Sequence, residues 1–382
     1  MNSFIWKVSL YRFLDAFKLV ALIFTLLFAA NGLSPFEISL LIVIWSVSQL
    51  LFEIPMGIVA DKYSRRNVLI VASILVAFGF SLWLIGGFFF YALGMILYGL
   101  RNALVSGTHE AFVYDELKSF DKTDQYANVN GKLEGSMNLG FMLSVILGGL
   151  VGQYSFSWAI ILSVISSLLA GCVLLSIRSV APVKSTGEKE YFHILFKAIK
   201  EISSNTKILF AIIFISCTFG IAGAADKYFP LVFESQGIST AVIGVLVALE
   251  VGMFALAGYT FSYWNKLKNN YWQYLLILTS GVLFLIFGIG NSLILLPLVF
   301  ISSYIGKLAL VKIDADLQHH ISSERRATVL SIKGITFEVV FLLATVFFGF
   351  IASTYGLLWV ITIWGCFYLF WTLLFVRRMM KL

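Results

Sequence analysis

Four ionisable residues lie near the middle of long apolar stretches, where a charge is costly and usually has a function: Arg101, Glu250, Lys307 and Glu338. A carboxyl group in low-dielectric surroundings favours its neutral form, so it can bind and release protons near neutral pH. We therefore expect Glu250 and Glu338 to carry protons. For Arg101 and Lys307, static ion pairs that lock the structure are an equally good interpretation.

The same four residues, together with Asn138, are the candidates for lining a substrate cavity. Asp15 and Glu110 join Arg101 as further candidates for proton coupling. Asp15 lies three residues from Lys18, however, which is close enough to pair along one helix face. For Asp15 and Glu110, the simpler interpretation is therefore an ion network near one membrane surface.

Composition restricts what these charges can do. Of 382 residues, 60% are hydrophobic and only 12% are charged, and the mean hydropathy is +0.93. These values are typical of a chain that lies largely in a bilayer. The net charge of +7 does not indicate nucleic-acid binding, because the cations cluster in short segments between apolar stretches.

Several kinds of catalytic or cofactor site are not indicated. Gly131-Lys132 and Gly306-Lys307 lack the Ser or Thr that follows the lysine in a nucleotide-binding P-loop. His109 has no neighbours at metal-ligand spacing, and no nucleophile triad is visible. We expect no enzymatic activity, no metal and no cofactor.

The apolar pattern predicts twelve membrane-spanning helices of about 20 residues or more. Lys and Arg concentrate in alternate connections, so both termini are expected in the cytoplasm. Asp226 and Lys227 then fall in the outer part of the seventh span, as an outer-gate pair. The first span is interrupted by charges and is not expected to be a cleaved signal. The predicted spans are 8–31, 36–57, 67–87, 90–114, 129–152, 156–177, 208–233, 239–263, 271–290, 292–317, 327–352 and 355–377.

The two halves of the chain are similar in pattern. The segment 28–34 (FAANGLS) matches 233–239 (FESQGIS), and each joins an outward-running helix to the next. This predicts two parallel six-helix bundles, 1–177 and 208–382. The intervening segment 178–207 is predicted to be a cytoplasmic linker with an amphipathic helix near 191–203.

A short charged motif suggests a family. Gly57, Asp61, Lys62, Arg65 and Arg66 follow the second span at the spacing Gly-x-x-x-Asp-Lys-x-x-Arg-Arg. This spacing resembles the signature loop of the major facilitator superfamily. We expect a charged turn here that acts at the inner gate, with Asp61 at the start of the next helix. The resemblance extends over the whole chain and implies an all-α membrane protein with two pseudo-symmetric six-helix bundles.

Glycines in the fifth span resemble a second family motif. Gly140, Gly148 and Gly149 keep part of the frame Gly-x-x-x-Gly-Pro-x-x-Gly-Gly of drug/proton antiporters, but Ser144 and Val145 replace its Gly-Pro pair. The frame is therefore either an antiporter mark or a device for close helix packing. The sequence leaves both interpretations open.

The resemblance implies a proton-coupled secondary transporter that works by alternating access. Abundant aromatic residues favour export of an amphipathic or lipophilic molecule, in the manner of drug/proton antiporters. The alternative is proton-linked uptake of a small anionic or polar nutrient, with Arg101 and Lys307 as anchors. A non-transporting sensor on the same fold is a third possibility. The expected partners are protons, a small molecule and the lipids of the cell membrane, and we expect a monomer.

Overall fold

The computed structural model describes residues 1–178, 206–267, 271–319 and 326–379. These residues form α-helices, short 3-10 helices and connections, without strands. The first part contains α1 (Asn2–Ala16), α2 (Phe24–Ala30), α3 (Pro35–Lys62), α4 (Arg65–Trp83), α5 (Phe88–Val105), α6 (Thr108–Ser119), α7 (Tyr126–Tyr154) and α8 (Phe156–Leu175). The later part contains α9 (Thr206–Asp226), α10 (Phe229–Ser235), α11 (Thr240–Trp264), α12 (Trp272–Gly290), α13 (Leu296–His319), α14 (Arg326–Tyr355) and α15 (Leu358–Met379).

Local sequence explains where α3 begins. The Ser34 hydroxyl accepts the backbone N–H of Glu37, and the Glu37 carboxylate accepts the backbone N–H of Ser34 at 2.8 Å. Pro35 occupies the first helical position, where its missing N–H leaves no bond unmade. The predicted start of the second span near residue 36 is therefore marked by a capping box.

Eleven helices within the described residues are long and apolar enough to cross a membrane. The first predicted span, 8–31, is missing from this set because it is divided into α1, a 3-10 turn (Leu19–Leu22) and α2. The predicted spans 90–114 and 208–233 are also interrupted, between α5 and α6 and between α9 and α10. Hydropathy did not reveal these breaks, because it averages over the length of a whole span.

Each break has a local cause. Gly107, between α5 and α6, has a φ of +71°, a left-handed conformation that glycine adopts at little cost. Pro230 lacks the N–H that would bond to the carbonyl of Asp226 four residues earlier, so α9 ends there. At the end of α1, the Lys18 ammonium donates to the carbonyl of Asp15. This bond satisfies a helix-end carbonyl that the interrupted helix leaves free of its usual partner.

The signature motif departs from the predicted turn. Helix α3 continues through Gly57 and Asp61 to Lys62, and α4 begins at Arg65. Asp61 therefore lies in the last turn of α3, so the prediction that it begins the next helix is wrong. The apolar residues 58–60 extend the helical run of the second span, which leaves only residues 63 and 64 for the turn.

The helices group into two compact units. The first contains Met1–Thr186 and Ile238–Ala248, and the second contains Gly187–Gly237 and Leu249–Leu382. In the first unit α5 packs on α3 and α4, α4 packs on α8, and α1 packs on α7. In the second unit α12 packs on α13 and α15, and α9 packs on α14. The amphipathic linker helix predicted near 191–203 lies outside the described residues, and the predicted division at 177 and 208 stays a prediction.

Candidate functional site

A buried ion network lies at the break of the first predicted span. The Asp15 carboxylate pairs with the Arg101 guanidinium of α5 and, at 2.8 Å, with the Lys18 ammonium. The side chains of Asp15 and Arg101 are only 10% and 11% exposed. Arg12 pairs with Glu134 of α7 at 2.7 Å. Arg101 is thus engaged by a carboxylate within the first unit, and both interpretations of its role stay predictions.

His109 is buried next to this network. Its ring lies 6.0 Å from that of Tyr11, and neither ring nitrogen has a hydrogen-bond partner among the described residues. The described residues also contain no group of three or more His, Cys, Asp or Glu placed to hold a metal ion. His109 packs here as a buried ring between α1 and α6.

A cavity of about 170 Å³ lies inside the second unit. Its walls are built by α9, α11, α12, α13, α14 and α15. The lining combines two charged side chains, three serines and a set of aromatic rings. The residues are Phe219, Ala222, Gly223, Asp226, Phe254, Ser280, Phe284, Ser302, Ser303, Gly306, Lys307, Leu310, Phe337, Trp364 and Tyr368.

Side chains of opposite charge line this cavity. The Lys307 ammonium lies between two phenyl rings, 5.4 Å from the centroid of Phe219 and 5.6 Å from that of Phe254. Such rings stabilise a cation electrostatically. The Oδ1 atom of Asp226 is buried and has no hydrogen-bond partner among the described residues. The cavity therefore offers a cation and a carboxylate oxygen to whatever enters it.

The neighbouring polar groups are already hydrogen-bonded. Glu250 is buried in α11 and accepts a hydrogen bond from the Ser303 hydroxyl at 3.3 Å. The hydroxyls of Ser280 and Ser302 lie 2.7 Å apart and bond to one another and to backbone carbonyls. Glu250 thus touches the cavity wall through Ser303.

Other predicted site residues lie elsewhere. Glu338 is half-buried in α14, next to the cavity residue Phe337, but it is not among the residues that line the cavity. Asn138 and Glu110 are exposed in the first unit. The structure thus brings Glu250 and Lys307 to one place and leaves Glu338, Asn138 and Glu110 outside it.

The cations of the signature motif connect helices at one end of the first unit. Arg65 pairs with Asp115 of α6 at 2.5 Å. Arg66 donates to the carbonyl of Ile177, beyond the end of α8, at 2.6 Å. These bonds join the start of α4 to two other helices. Asp61 and Lys62 are exposed at the end of α3.

The glycines of the fifth predicted span allow close helix contact. A methyl group on Gly140 would collide with the Phe13 carbonyl of α1, and one on Gly148 with the carbonyl of Leu19. A methyl group on Gly149 would lie 2.7 Å from the Cα of Gly244, which belongs to the first unit. These contacts support the packing interpretation of the glycine frame.

The outer-gate pairing of Asp226 with Lys227 stays a prediction, and the structure places Asp226 in the cavity wall with Lys307. The signal that could have revealed this is Pro230, because a proline ends the regular helix four residues before it. A carboxylate beside a helix break in an apolar span has both space and unpaired backbone groups around it. The sequence reasoning did not use that proline.

One comparison with known proteins identifies a family. A family model described as Major Facilitator Superfamily matches residues 8–311. An uncharacterized transporter of Buchnera aphidicola (subsp. Acyrthosiphon pisum, strain APS) is 26% identical over 155 residues, which are 38% of this chain. The matched stretch spans only 36% of that relative's length.

Solved transporters have the same fold. The nucleoside transporter NupG is 13% identical, with a TM-score of 0.81 and full coverage of both chains. A bacterial homolog of the human lysosomal transporter Spinster is 12% identical, with a TM-score of 0.76 over 100% of this chain and 97% of that one. A D-xylose–proton symporter is 14% identical, with a TM-score of 0.69 over 97% and 96%. At such identities the likeness shows the fold alone, and it confirms the predicted twelve-helix, two-bundle fold class.

Proposed function

Because this chain belongs to the Major Facilitator Superfamily, we propose that it couples the movement of protons to that of a small polar molecule. It is a multi-pass membrane protein and a transporter of small molecules. The proposal concerns the coupling ion, the kind of cargo and the direction. It places all of the chemistry in the second-unit cavity, with Glu250 as the proton carrier.

The observation that carries this proposal is one cavity whose wall contains Asp226 and Lys307, with Glu250 bonded to the wall residue Ser303. An unpaired charge inside an apolar bundle is costly, so such groups persist where a function requires them. The hydrogen bond that Glu250 makes within the described residues is to a neutral hydroxyl. Glu250 can therefore gain or lose a proton without breaking an ion pair. Asp15, held by two cations, cannot.

The size of the cavity supports a small cargo. Its volume of about 170 Å³ is roughly the share of liquid occupied by six water molecules. Pockets for drug-sized molecules usually measure about 300–1,000 Å³. NupG is a nucleoside transporter and another relative in fold is a D-xylose–proton symporter. These names fit proton-linked uptake of a polar nutrient better than multidrug efflux, so uptake is the direction we propose.

Export of an amphipathic or lipophilic molecule is the second candidate. One observation favours it: six aromatic side chains line the cavity, and they belong to Phe219, Phe254, Phe284, Phe337, Trp364 and Tyr368. Rings of this kind bind flat apolar ligands as well as polar rings. Accumulation of a cationic dye by everted vesicles under a proton gradient would favour export. If no lipophilic compound accumulated in the vesicles, export would be ruled out.

The main test is proton movement in proteoliposomes. Purified protein would be reconstituted with a pH-sensitive dye inside and challenged with amino acids, sugars, nucleosides, carboxylates and cationic dyes. Proton entry together with a polar solute supports the proposal. Absence of proton movement with every solute, from protein shown to be folded, would overturn it.

We also propose the orientation that the loop charges favour, with both termini in the cytoplasm. The proposed location is the plasma membrane, and the proposed oligomeric state is a monomer. In that orientation Gly57, Asp61 and the adjacent cations lie at the inner gate. A topology reporter fused after residue 87 should indicate the outer side of the membrane, and one fused after residue 125 should indicate the cytoplasm. The same signal from both fusions would contradict this orientation.

A further inference from the structure

We propose that the second-unit cavity binds a small zwitterion, with Asp226 taking its ammonium group and Lys307 its anionic group. This inference rests on the proposed function, because it names the cargo of the same cavity. It adds a recognition chemistry that membership of the family does not supply.

Asp226 provides the acceptor. It is the last residue of α9, at the break that Pro230 imposes, and it lines the cavity. Its Oδ1 atom is shielded from solvent and has no hydrogen-bond donor among the described residues. Buried carboxylate oxygens nearly always accept a hydrogen bond. We therefore infer that a bound ligand supplies the hydrogen-bond donor to the Oδ1 atom of Asp226. An ammonium group supplies both the donor and the opposite charge.

Lys307 provides the donor. Its ammonium carries three N–H groups, yet within the described residues its contacts are the faces of Phe219 and Phe254. Those rings stabilise the charge but accept no conventional hydrogen bond. Asp226 and Lys307 line one cavity, and the Oδ1 atom of Asp226 accepts no hydrogen bond from Lys307 or from any other described residue. A carboxylate or similar anionic group would occupy the space beside Lys307.

The remaining polar groups narrow the choice. Ser280 and Ser302 bond to one another, and Ser303 donates to Glu250. A neutral sugar would therefore meet two charges and few available hydroxyls. A simple anion would satisfy Lys307 but would bring a second negative charge towards Asp226. A zwitterion satisfies both charges at once and adds no net charge to the site.

Size and lining complete the description. A volume near 170 Å³ suits a molecule of amino-acid size. The stacked rings of Phe284 and Trp364, with centroids 4.1 Å apart, form an apolar wall for a short side chain. The expected cargo class is thus a small α-amino acid with an apolar side chain.

The test uses full-length protein and measures binding separately from transport. Alanine and valine would be the zwitterionic probes, alanine methyl ester would lack the anionic group, and N-acetylalanine would lack the ammonium. Xylose and uridine would be neutral controls of similar or larger size. Binding would be followed by thermal stabilisation in detergent, and transport by proton entry in proteoliposomes.

We expect the zwitterions to bind about tenfold or more tightly than the ester or the N-acetyl derivative. In Lys307→Gln the preference over the ester should be lost, and in Asp226→Asn the preference over the N-acetyl derivative. Lys312→Gln and Asp316→Asn are matched controls, because these residues pair with each other at 2.6 Å on the same helix, α13. Both controls should retain both preferences.

The two proposals fail in different ways. Binding of xylose or uridine with proton entry, and no binding of zwitterions, would overturn the zwitterion and leave proton-linked uptake standing. Zwitterion binding that depends on Asp226 and Lys307, without proton entry, would support the inference and overturn the coupling. Zwitterion binding that both variants retain unchanged would overturn the assigned recognition.

Discussion

The Asp15 carboxylate is held by the Arg101 guanidinium, 86 residues away in sequence, where α5 passes the end of α1. Lys18 bonds to the same carboxylate and also to the Asp15 carbonyl. The Asp15 side chain thus holds two cations, and one of them, Lys18, also bonds the backbone at the end of the interrupted helix. This makes Asp15 the centre of the polar interior of the first unit.

Replacing Asp15 should therefore reduce stability. Asp15→Asn leaves two buried cations without a counter-charge, a change that costs about 3–5 kcal/mol. Thermal unfolding in detergent would measure the loss. The control is Asp115→Asn, which breaks an ion pair with Arg65 in which both side chains are about a fifth exposed, and which should cost about 1 kcal/mol or less. Equal losses in the two variants would contradict the central role of Asp15.

The glycines of α7 should differ sharply in their tolerance of alanine. Gly140→Ala and Gly148→Ala place a methyl group against the carbonyls of Phe13 and Leu19, so each should lower the unfolding temperature. Gly135→Ala is the control on the same helix, because nothing lies within 4 Å of the added methyl.

Alanine favours a helix interior over glycine by up to about 1 kcal/mol. Gly135→Ala should therefore leave stability unchanged or raise it slightly. If all three variants had the same unfolding temperature, close packing of α7 on α1 and on the 3-10 turn could not be the role of Gly140 and Gly148.

Substitution of Glu250 and substitution of Glu338 should have different effects on proton coupling. Glu250→Gln keeps the size and the bond from Ser303 but removes the titratable group, so substrate should no longer draw protons with it. Glu338→Gln changes a half-buried residue outside the cavity lining and should leave coupling intact. Substrate counterflow without a proton gradient would confirm that Glu250→Gln still binds its cargo. If coupling survived in Glu250→Gln, Glu250 could not be the proton carrier. If coupling were lost only in Glu338→Gln, that role would pass to Glu338.

Asp61→Asn should slow turnover while leaving the fold intact. Asp61 is exposed in the last turn of α3, so losing its charge should change stability by less than about 1 kcal/mol. The proposed inner gate, however, would lose its only signature carboxylate. Turnover under saturating substrate would be compared with that of Asp121→Asn, a change in an exposed connection between α6 and α7. Equal turnover in the two variants would remove Asp61 from the gate.

The sequence was sufficient for the spans, the family and the general position of the charges. Hydrophobic runs of membrane length are local features, and a bilayer imposes their length whatever the neighbouring helices do. The signature residues 57–66 are likewise read from adjacent positions. Even the breaks had local causes, Gly107 and Pro230, which the apolar pattern concealed because it averages over about 20 residues.

The tertiary structure decided which charges meet. Asp15 and Arg101 pair, and Asp226 and Lys307 share a cavity, because helices distant in sequence pack side by side. Sequence spacing specifies which face of one helix a residue occupies, but not the helix that this face contacts. The same reason applies to the glycines of α7: their frame was visible in the sequence, and only the approach of α1 showed what they accommodate.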